Sequence, residues 1–132
     1  MRLLVDTSVW SLALRKGGPA DHAAVARLRK ALEDQEDVFV TGAVLQEILQ
    51  GLRSDAAFRK IAARLEPFPL LSLDRADYLA AARLRRTCAA HGVTLSTIDC
   101  QIAQAALRHD CHLLTTDQDF THLSRCVPLR LA

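Results

Sequence analysis

The chain has 132 residues, of which half are apolar and 24% are charged, a composition typical of a folded domain rather than a disordered or repetitive protein. A chain of this length buries about two-thirds of its unfolded surface, so we expect residues 1–132 to form one domain. No stretch approaches the roughly 18 consecutive apolar residues of a membrane span. Asp6 also interrupts the first apolar segment too early for a secretory signal. We therefore expect a cytoplasmic protein.

The four cysteines, Cys88, Cys100, Cys111 and Cys126, have no CxxC spacing. Thiols of an intracellular chain are normally reduced, which argues against disulfides, and the spacing argues against a zinc site. We expect these side chains to be small buried apolar groups.

The first part of the chain alternates strands and helices. Leu3–Val5 is apolar and predicts a strand that ends at Asp6, followed by a helix that the breakers at positions 17–19 terminate. A second helix is predicted over Ala20–Glu33 and a second strand over Val38–Val40.

Two helices and a short strand follow. After Thr41, apolar residues recur on one side of a predicted helix that extends to Leu52. Ser54 has the hydrogen-bonding side chain of a helix cap, and the helix that it begins ends before Pro67. The apolar segment Leu70–Leu73 predicts a short strand.

Two further helices are predicted next. Asp74 is a cap for a helix that extends towards Ala90. Either Ser96 or Thr97 caps a further helix, whose apolar positions continue to Leu107.

The last part of the chain completes an α/β pattern. Cys111–Thr115 predicts a buried strand, Phe120 belongs to one helical turn, and Val127–Leu131 is a candidate edge strand. Strands separated by helices favour a three-layer α/β/α fold with a central, mostly parallel sheet. Because ligands of such folds bind at the carboxyl ends of the strands, Asp6 and Asp117, which both follow predicted strands, are expected at the binding edge.

Four acidic residues, far apart in the sequence, occupy positions that this fold should bring to one edge of the sheet: Asp6, Glu47, Asp99 and Asp117. Taken singly, each has an ordinary structural explanation, as a helix cap, an exposed helical residue or a turn residue. Together they predict a shared divalent cation, because uncompensated carboxylates are costly to bury. Oxygen ligands without a histidine pair favour Mg²⁺ or Mn²⁺ over Zn²⁺.

These motifs resemble the PIN-domain ribonucleases, and more narrowly the VapC-type toxins of bacterial toxin–antitoxin pairs. The resemblance extends over almost the whole chain and depends on four segments: LLVDTSVW, VLQEILQGL, STIDCQIAQAAL and LLTTDQDF. It implies a Mg²⁺- or Mn²⁺-dependent endoribonuclease with a PIN-like fold, an RNA substrate, a VapB-type antitoxin partner and a homodimer.

The resemblance also assigns roles to residues. Asp6, Asp99 and Asp117 are expected to bind the metal directly or through water, and Glu47 is expected to complete the site or orient the attacking water. Supporting roles are implied for four further residues: Thr7, Ser8, Thr116 and Asp119.

The basic residues are candidates for RNA binding. If the four site acids are neutralised by metal, 11 of the 15 acidic residues remain against 17 basic ones, 14 of which are arginine. Arginine suits phosphate recognition, although such an excess also arises on ordinary solvated surfaces. The candidates are Arg15, Lys16, Arg53, Arg83, Arg85 and Arg86.

Two alternatives from other functional classes stay open at this level. A phospho-signalling receiver domain also has an acidic, Mg²⁺-binding edge, but it needs a lysine near a late strand, and the lysines here lie early, at Lys16, Lys30 and Lys60. A catalytically silent protein with the same fold would instead bind RNA or a partner without cleaving it.

Overall fold

A four-stranded parallel sheet organises the chain in the computed structural model, which describes residues 1–15 and 22–132. The strand order is β3-β2-β1-β4. Within these residues the elements are β1 (Arg2–Val5), α1 (Thr7–Ala13), α2 (Ala23–Glu33), β2 (Asp37–Thr41), α3 (Gly42–Gln50), α4 (Asp55–Leu65), β3 (Leu70–Leu71), α5 (Arg75–Ala90), α6 (Thr97–Arg108), β4 (His112–Leu114) and α7 (Gln118–Ser124). The predicted α/β class with a parallel sheet is confirmed.

Polar side chains explain where three of these helices begin. Ser54 and Ser96 each accept a hydrogen bond from the backbone N–H three residues later, at 3.1 and 3.0 Å. Asp74 and Asp77 form a reciprocal capping box at the start of α5. These contacts satisfy N–H groups that have no partner inside the helix, so they determine the helix starts. Ser96, rather than Thr97, is the cap of α6.

The predicted edge strand at Val127–Leu131 is wrong. In this part of the chain, Leu131 forms an isolated parallel bridge with Leu113, and no regular strand is present. Pro128 has no N–H to donate to a ladder, which helps to explain why the pairing is confined to the last residues. The preceding strand is also shorter than predicted, spanning His112–Leu114.

Other boundaries differ modestly from the predictions. The helix predicted from Ala20 begins at Ala23, where His22 accepts a hydrogen bond from the backbone N–H of Ala24 at 3.1 Å. The strand predicted at Leu70–Leu73 covers two residues. The predicted breakers at positions 17–19 and the basic candidate Lys16 lie outside the described residues.

The core lies on both faces of the sheet. The apolar residues of β1 are fully buried, as expected for the central strand of a parallel sheet covered by helices. Cys88, Cys100 and Cys111 are buried as predicted, whereas Cys126 is half-buried, and all four are free thiols. None of the helices within residues 1–15 and 22–132 has the length and apolar character needed to cross a membrane.

A buried ionic contact joins α5 to α6. Asp77 is only 4% exposed, accepts a hydrogen bond from Gln104 at 3.2 Å and pairs with the guanidinium of Arg108. Burial acts to raise the pKa of Asp77, but hydrogen bonds from the Asp74 backbone and Gln104, together with Arg108, outweigh it and hold the pKa below its ordinary value. The contact therefore stabilises the packing of α6, the helix that carries Asp99.

Candidate active site

The register of the sheet brings the ends of β1 and β4 together. Val5 pairs with Leu114 in the parallel ladder, and the backbone N–H of Asp6 donates to the carbonyl of Leu114 at 2.9 Å. Asp6 therefore lies beside Thr115, with Asp117 two residues further along the chain. The two acids that follow strands reach the same edge, as the sequence predicted.

Hydroxyl groups hold the carboxylate of Asp6 in place. Asp6 is 5% exposed, and its Oδ2 accepts hydrogen bonds from Ser8 Oγ at 2.8 Å and Thr115 Oγ1 at 2.9 Å. The same two hydroxyls also accept hydrogen bonds from the backbone of the loop after β4. Ser8 Oγ accepts from the N–H of Thr116 at 3.1 Å, and Thr115 Oγ1 accepts from the N–H of Asp117 at 3.0 Å. Among the described residues, no hydrogen bond occupies Oδ1 of Asp6, so one oxygen is anchored and the other is available for a ligand.

Three further carboxylates converge beside this network. Oxygen atoms of Asp99, Asp117 and Asp119 all lie within 4.8 Å of one another. Asp99 lies in the first turn of α6, and Asp117 caps α7 by accepting from the N–H of Asp119 at 2.9 Å. The positive ends of both helix dipoles therefore face the cluster and offset part of the repulsion between the acids.

The electrostatics of Asp99 reflect this crowding. Burial raises the pKa of its carboxyl above the ordinary value, and the charges of Asp117, Asp6 and Asp119 act in the same direction, whereas a hydrogen bond with Ser96 opposes them. Because the charge of Asp6 also raises the pKa of Asp99, the anchored carboxylate of Asp6 interacts electrostatically with the cluster. A divalent cation would remove the repulsion that these groups experience.

Glu47 reaches the site from α3. Its Oε1 accepts a hydrogen bond from Thr7 Oγ1 at 3.0 Å, and Thr7 directly follows Asp6. Glu47 is half-buried and lies outside the group of three mutually close carboxylates. The structure thus places it in contact with Thr7, the residue after Asp6, where α1 begins.

The donor set is chemically uniform. The converging groups are carboxylate oxygens, supported by hydroxyls and backbone N–H groups, and no histidine or thiol belongs to the cluster described. Hard oxygen donors suit Mg²⁺ or Mn²⁺, so the residues present fit the expected type of cation.

One residue of this network was missed by the sequence reasoning. Thr116 was assigned a supporting role, but its contribution to the network is a backbone N–H, and the hydroxyl that contacts Asp6 belongs to Thr115. Neighbouring residues of an extended segment point to opposite sides, so the two threonines cannot both face Asp6. The pairing of Val5 with Leu114 decides between them, and that register is not readable from the sequence.

The five predicted RNA-binding arginines are all exposed and differ in what else they contact. Arg85 is partly committed to the fold, since its Nε donates to the carbonyl of Leu95 at 2.8 Å, one residue before the cap of α6. Arg15 lines a cavity that also contains Glu47. The others, Arg53, Arg83 and Arg86, are exposed.

The PIN domain family model matches residues 3–125, which includes the sheet apart from Arg2 and all four predicted acids. This chain belongs to the PIN-domain family. Among curated relatives, Ribonuclease VapC11 of Mycobacterium tuberculosis is 32% identical over 132 residues, covering 98% of this chain and 97% of the relative. The resemblance inferred from the four motifs is thereby confirmed.

Solved structures share the PIN fold. VapBC2 from Rickettsia felis, bound to a DNA fragment from its promoter, matches with a TM-score of 0.80 at 18% identity, covering 100% of this chain and 98% of that chain. VapBC-1 from nontypeable Haemophilus influenzae matches with a TM-score of 0.78 at 18% identity, covering 100% and 97%. Membership of the PIN-domain family makes the receiver-domain alternative wrong.

Proposed function

We propose that this PIN-domain protein is a metal-dependent endoribonuclease that acts as the toxin of a toxin–antitoxin pair, with residues 1–132 working as one domain. The observation that carries the proposal is the convergence of Asp99, Asp117 and Asp119 beside the anchored carboxylate of Asp6. Similarity to Ribonuclease VapC11 supports RNA as the substrate. Acids gathered at the carboxyl edge of a parallel sheet are also where α/β folds bind their ligands.

The proposed metal ligands are Asp6, Asp99 and Asp117, acting directly or through water. Ser8 and Thr115 hold one oxygen of Asp6, which leaves its other oxygen, unbonded among the described residues, for the metal. Asp119 contributes a second carboxylate close to Asp117. Hydroxyl contacts of this kind orient ligands and tune their basicity.

Glu47 is proposed to position the attacking water. Thr7 occupies its Oε1, and no hydrogen bond from the described residues 1–15 and 22–132 occupies Oε2, which would accept a proton from water or bind the metal through water. A bound Mg²⁺ or Mn²⁺ supplies a hold on a phosphate oxygen, a more acidic water and stabilisation of the charge on the departing oxygen. The chain itself orients the phosphodiester and accepts the proton.

Cleavage is tested by incubating the purified protein with total RNA in the presence of Mg²⁺, Mn²⁺ or EDTA and mapping new RNA ends. We expect new ends with either metal and none with EDTA. Asp6→Ala and Asp99→Ala should abolish cleavage while circular dichroism shows that the fold is retained. Asp37→Ala, which removes an exposed acid at the opposite end of β2, is the matched control and should leave cleavage intact.

The same experiment separates the proposal from the catalytically silent alternative. A protein that only masks RNA would bind RNA and produce no new ends with any metal. Its RNA binding would also be unchanged by Asp99→Ala. Metal-independent cleavage that survives both substitutions would instead point to contaminating nuclease and overturn the assignment of the acids.

A VapB-type antitoxin and a homodimer complete the proposal. The two solved neighbours are named as VapBC assemblies, which supports an antitoxin partner for this chain. The partner is tested by co-expressing the chain with the product of an adjacent small gene and measuring whether co-purification suppresses cleavage. Light scattering of the isolated chain gives its oligomeric state, and a monomeric mass would refute the dimer.

A further inference from the structure

A cavity of about 720 Å³ lies between the end of α1 and the helices α3 and α4. Glu47 contributes to its wall, and the same side chain accepts the hydrogen bond from Thr7, next to Asp6. The cavity therefore reaches Glu47, whose hydrogen bond with Thr7 links its wall to the segment that carries Asp6. Its volume falls within the range of about 300–1,000 Å³ typical of pockets that enclose small organic ligands, so it has room for a nucleotide.

The charges in this cavity are opposite to those of the metal site. Arg15, Lys60 and Arg64 line it, against the single carboxylate of Glu47. Lys60 and Arg64 are four residues apart on α4, so they lie on the same face of the helix. Within residues 1–15 and 22–132, no carboxylate forms an ion pair with any of the three cations.

Most of the remaining wall is apolar, although Ser11 also lines it. Its larger apolar residues are Leu14, Ile48, Leu52 and Ile61. An apolar surface bordered by guanidinium and ammonium groups matches a nucleotide, whose base has apolar faces and whose phosphate is anionic. An acidic peptide would use the cations as well, but Glu47 connects this cavity to the proposed metal site, whose proposed substrate is a phosphodiester, and this favours RNA.

We propose that a single strand of RNA leaves the metal site through this cavity, with phosphates next to the cleaved one bound by Lys60 and Arg64 and assisted by Arg15. This inference rests on the proposed function, since it assumes that the cleaved phosphate lies at the acidic cluster. It assigns substrate binding to two residues that sequence reasoning did not single out. Lys60 and Arg64 carry the test because both belong to the regular helix α4.

The test compares Lys60→Ala/Arg64→Ala with Arg59→Ala. Arg59 is exposed on the same helix but lines a separate groove, so it controls for the removal of one cation from α4 outside the cavity. The Kd of a short single-stranded RNA is measured by fluorescence anisotropy at several KCl concentrations, with Ca²⁺ replacing Mg²⁺ to neutralise the acids. Thermal unfolding verifies that both variants fold.

The double variant should bind RNA roughly tenfold or more weakly at low salt, and the slope of log K against log salt should fall by about 1.4, for two lost phosphate contacts. Arg59→Ala should keep nearly the wild-type slope of log K against log salt, because Arg59 does not line the cavity and its loss removes no phosphate contact there. In Mg²⁺, the double variant should raise KM for RNA cleavage with little change in kcat, because Lys60 and Arg64 do not contact the reacting atoms.

Two results would overturn the inference and leave the nuclease proposal intact. One is RNA cleavage with the wild-type KM and salt slope in the double variant. The other is RNA binding that is unchanged while binding of an oligoglutamate peptide is lost, which would assign the cavity to an acidic protein segment. Conversely, a protein that cleaves no RNA but binds it through Lys60 and Arg64 would refute the nuclease proposal and retain the binding surface.

Discussion

Removing one negative charge from the acidic cluster should stabilise the metal-free protein. Asp99→Asn keeps the size of the side chain and its place in the first turn of α6, but it removes the charge that Asp117 and Asp119 oppose. At the 4.8 Å limit of this cluster, repulsion between two unit charges is ~1 kcal/mol in a water-like dielectric and ~3.5 kcal/mol at an effective dielectric of 20.

The net gain is smaller than the repulsion itself. An acid in the first turn of a helix is stabilised by the helix dipole, and losing it costs about 0.3–1 kcal/mol. We therefore expect the free energy of unfolding in EDTA to rise by about 1–2 kcal/mol, which raises the Tm of a domain of this size by at least about 3 °C. Asp37→Asn, an exposed charge at the opposite end of β2, should leave the Tm nearly unchanged.

Thermal unfolding with EDTA and with increasing Mg²⁺ tests this reasoning. Mg²⁺ should raise the Tm of the wild type by mass action, and should raise that of Asp99→Asn much less because a ligand is lost. The advantage of the variant in EDTA should also shrink as the pH falls through the raised pKa of Asp99, since the wild-type carboxyl is then protonated. If Asp99→Asn is no more stable than the wild type in EDTA and its Tm responds to Mg²⁺ as the wild type does, the conclusion that Asp99 belongs to a mutually repelling, metal-binding cluster is refuted.

Three further predictions concern single residues. Thr115→Val removes the hydroxyl that contacts Asp6 and the backbone N–H of Asp117, so metal-dependent cleavage should fall about 10–100-fold, whereas Thr115→Ser keeps the hydroxyl and should keep the activity. Equal activity of the wild type and both variants would refute this role of the hydroxyl. The pKa of Asp77 is lowered in the folded protein, so its ionised carboxyl stabilises the fold above the ordinary Asp pKa of about 4, and this stabilisation is lost as the pH falls through the lowered pKa. In Asp77→Asn the free energy of unfolding in urea should therefore decrease less steeply at acid pH, and an unchanged decrease would contradict this. Gly92 has φ +78°, so Gly92→Ala should cost about 1 kcal/mol in urea unfolding although no atom lies near its missing Cβ, and an unchanged midpoint would contradict the strain argument.

Local chemistry explains why most of the fold could be predicted. The caps Ser54 and Asp74 identify helix starts through contacts within three residues, and the apolar runs before Asp6 and Asp117 identify buried strands. These features depend on neighbours in the sequence, so a pattern of residue types is enough to recognise them. The edge strand predicted near the C-terminus failed because its pairing depends on a distant partner, Leu113.

The positions of the four acids in the fold were predictable, because each follows a strand or begins or borders a helix, whereas their shared role in metal binding stays a prediction. Their supporting residues were not predictable. Thr115 and Thr116 are the same residue type at adjacent positions, and only the parallel register of β1 with β4 determines which hydroxyl contacts Asp6. The register is a long-range property, since it depends on how side chains from distant segments pack on the two faces of the sheet.

The sequence by itself determined the α/β class, the helix caps and the identity of the acidic residues, because those properties follow from local periodicity and from the cost of burying charge. The tertiary structure alone decided which oxygen of Asp6 is anchored, and that Lys60 and Arg64 share a cavity with Glu47. Such contacts join segments far apart in the chain, and their geometry is set by the packing of whole helices against the sheet rather than by any residue's immediate neighbours.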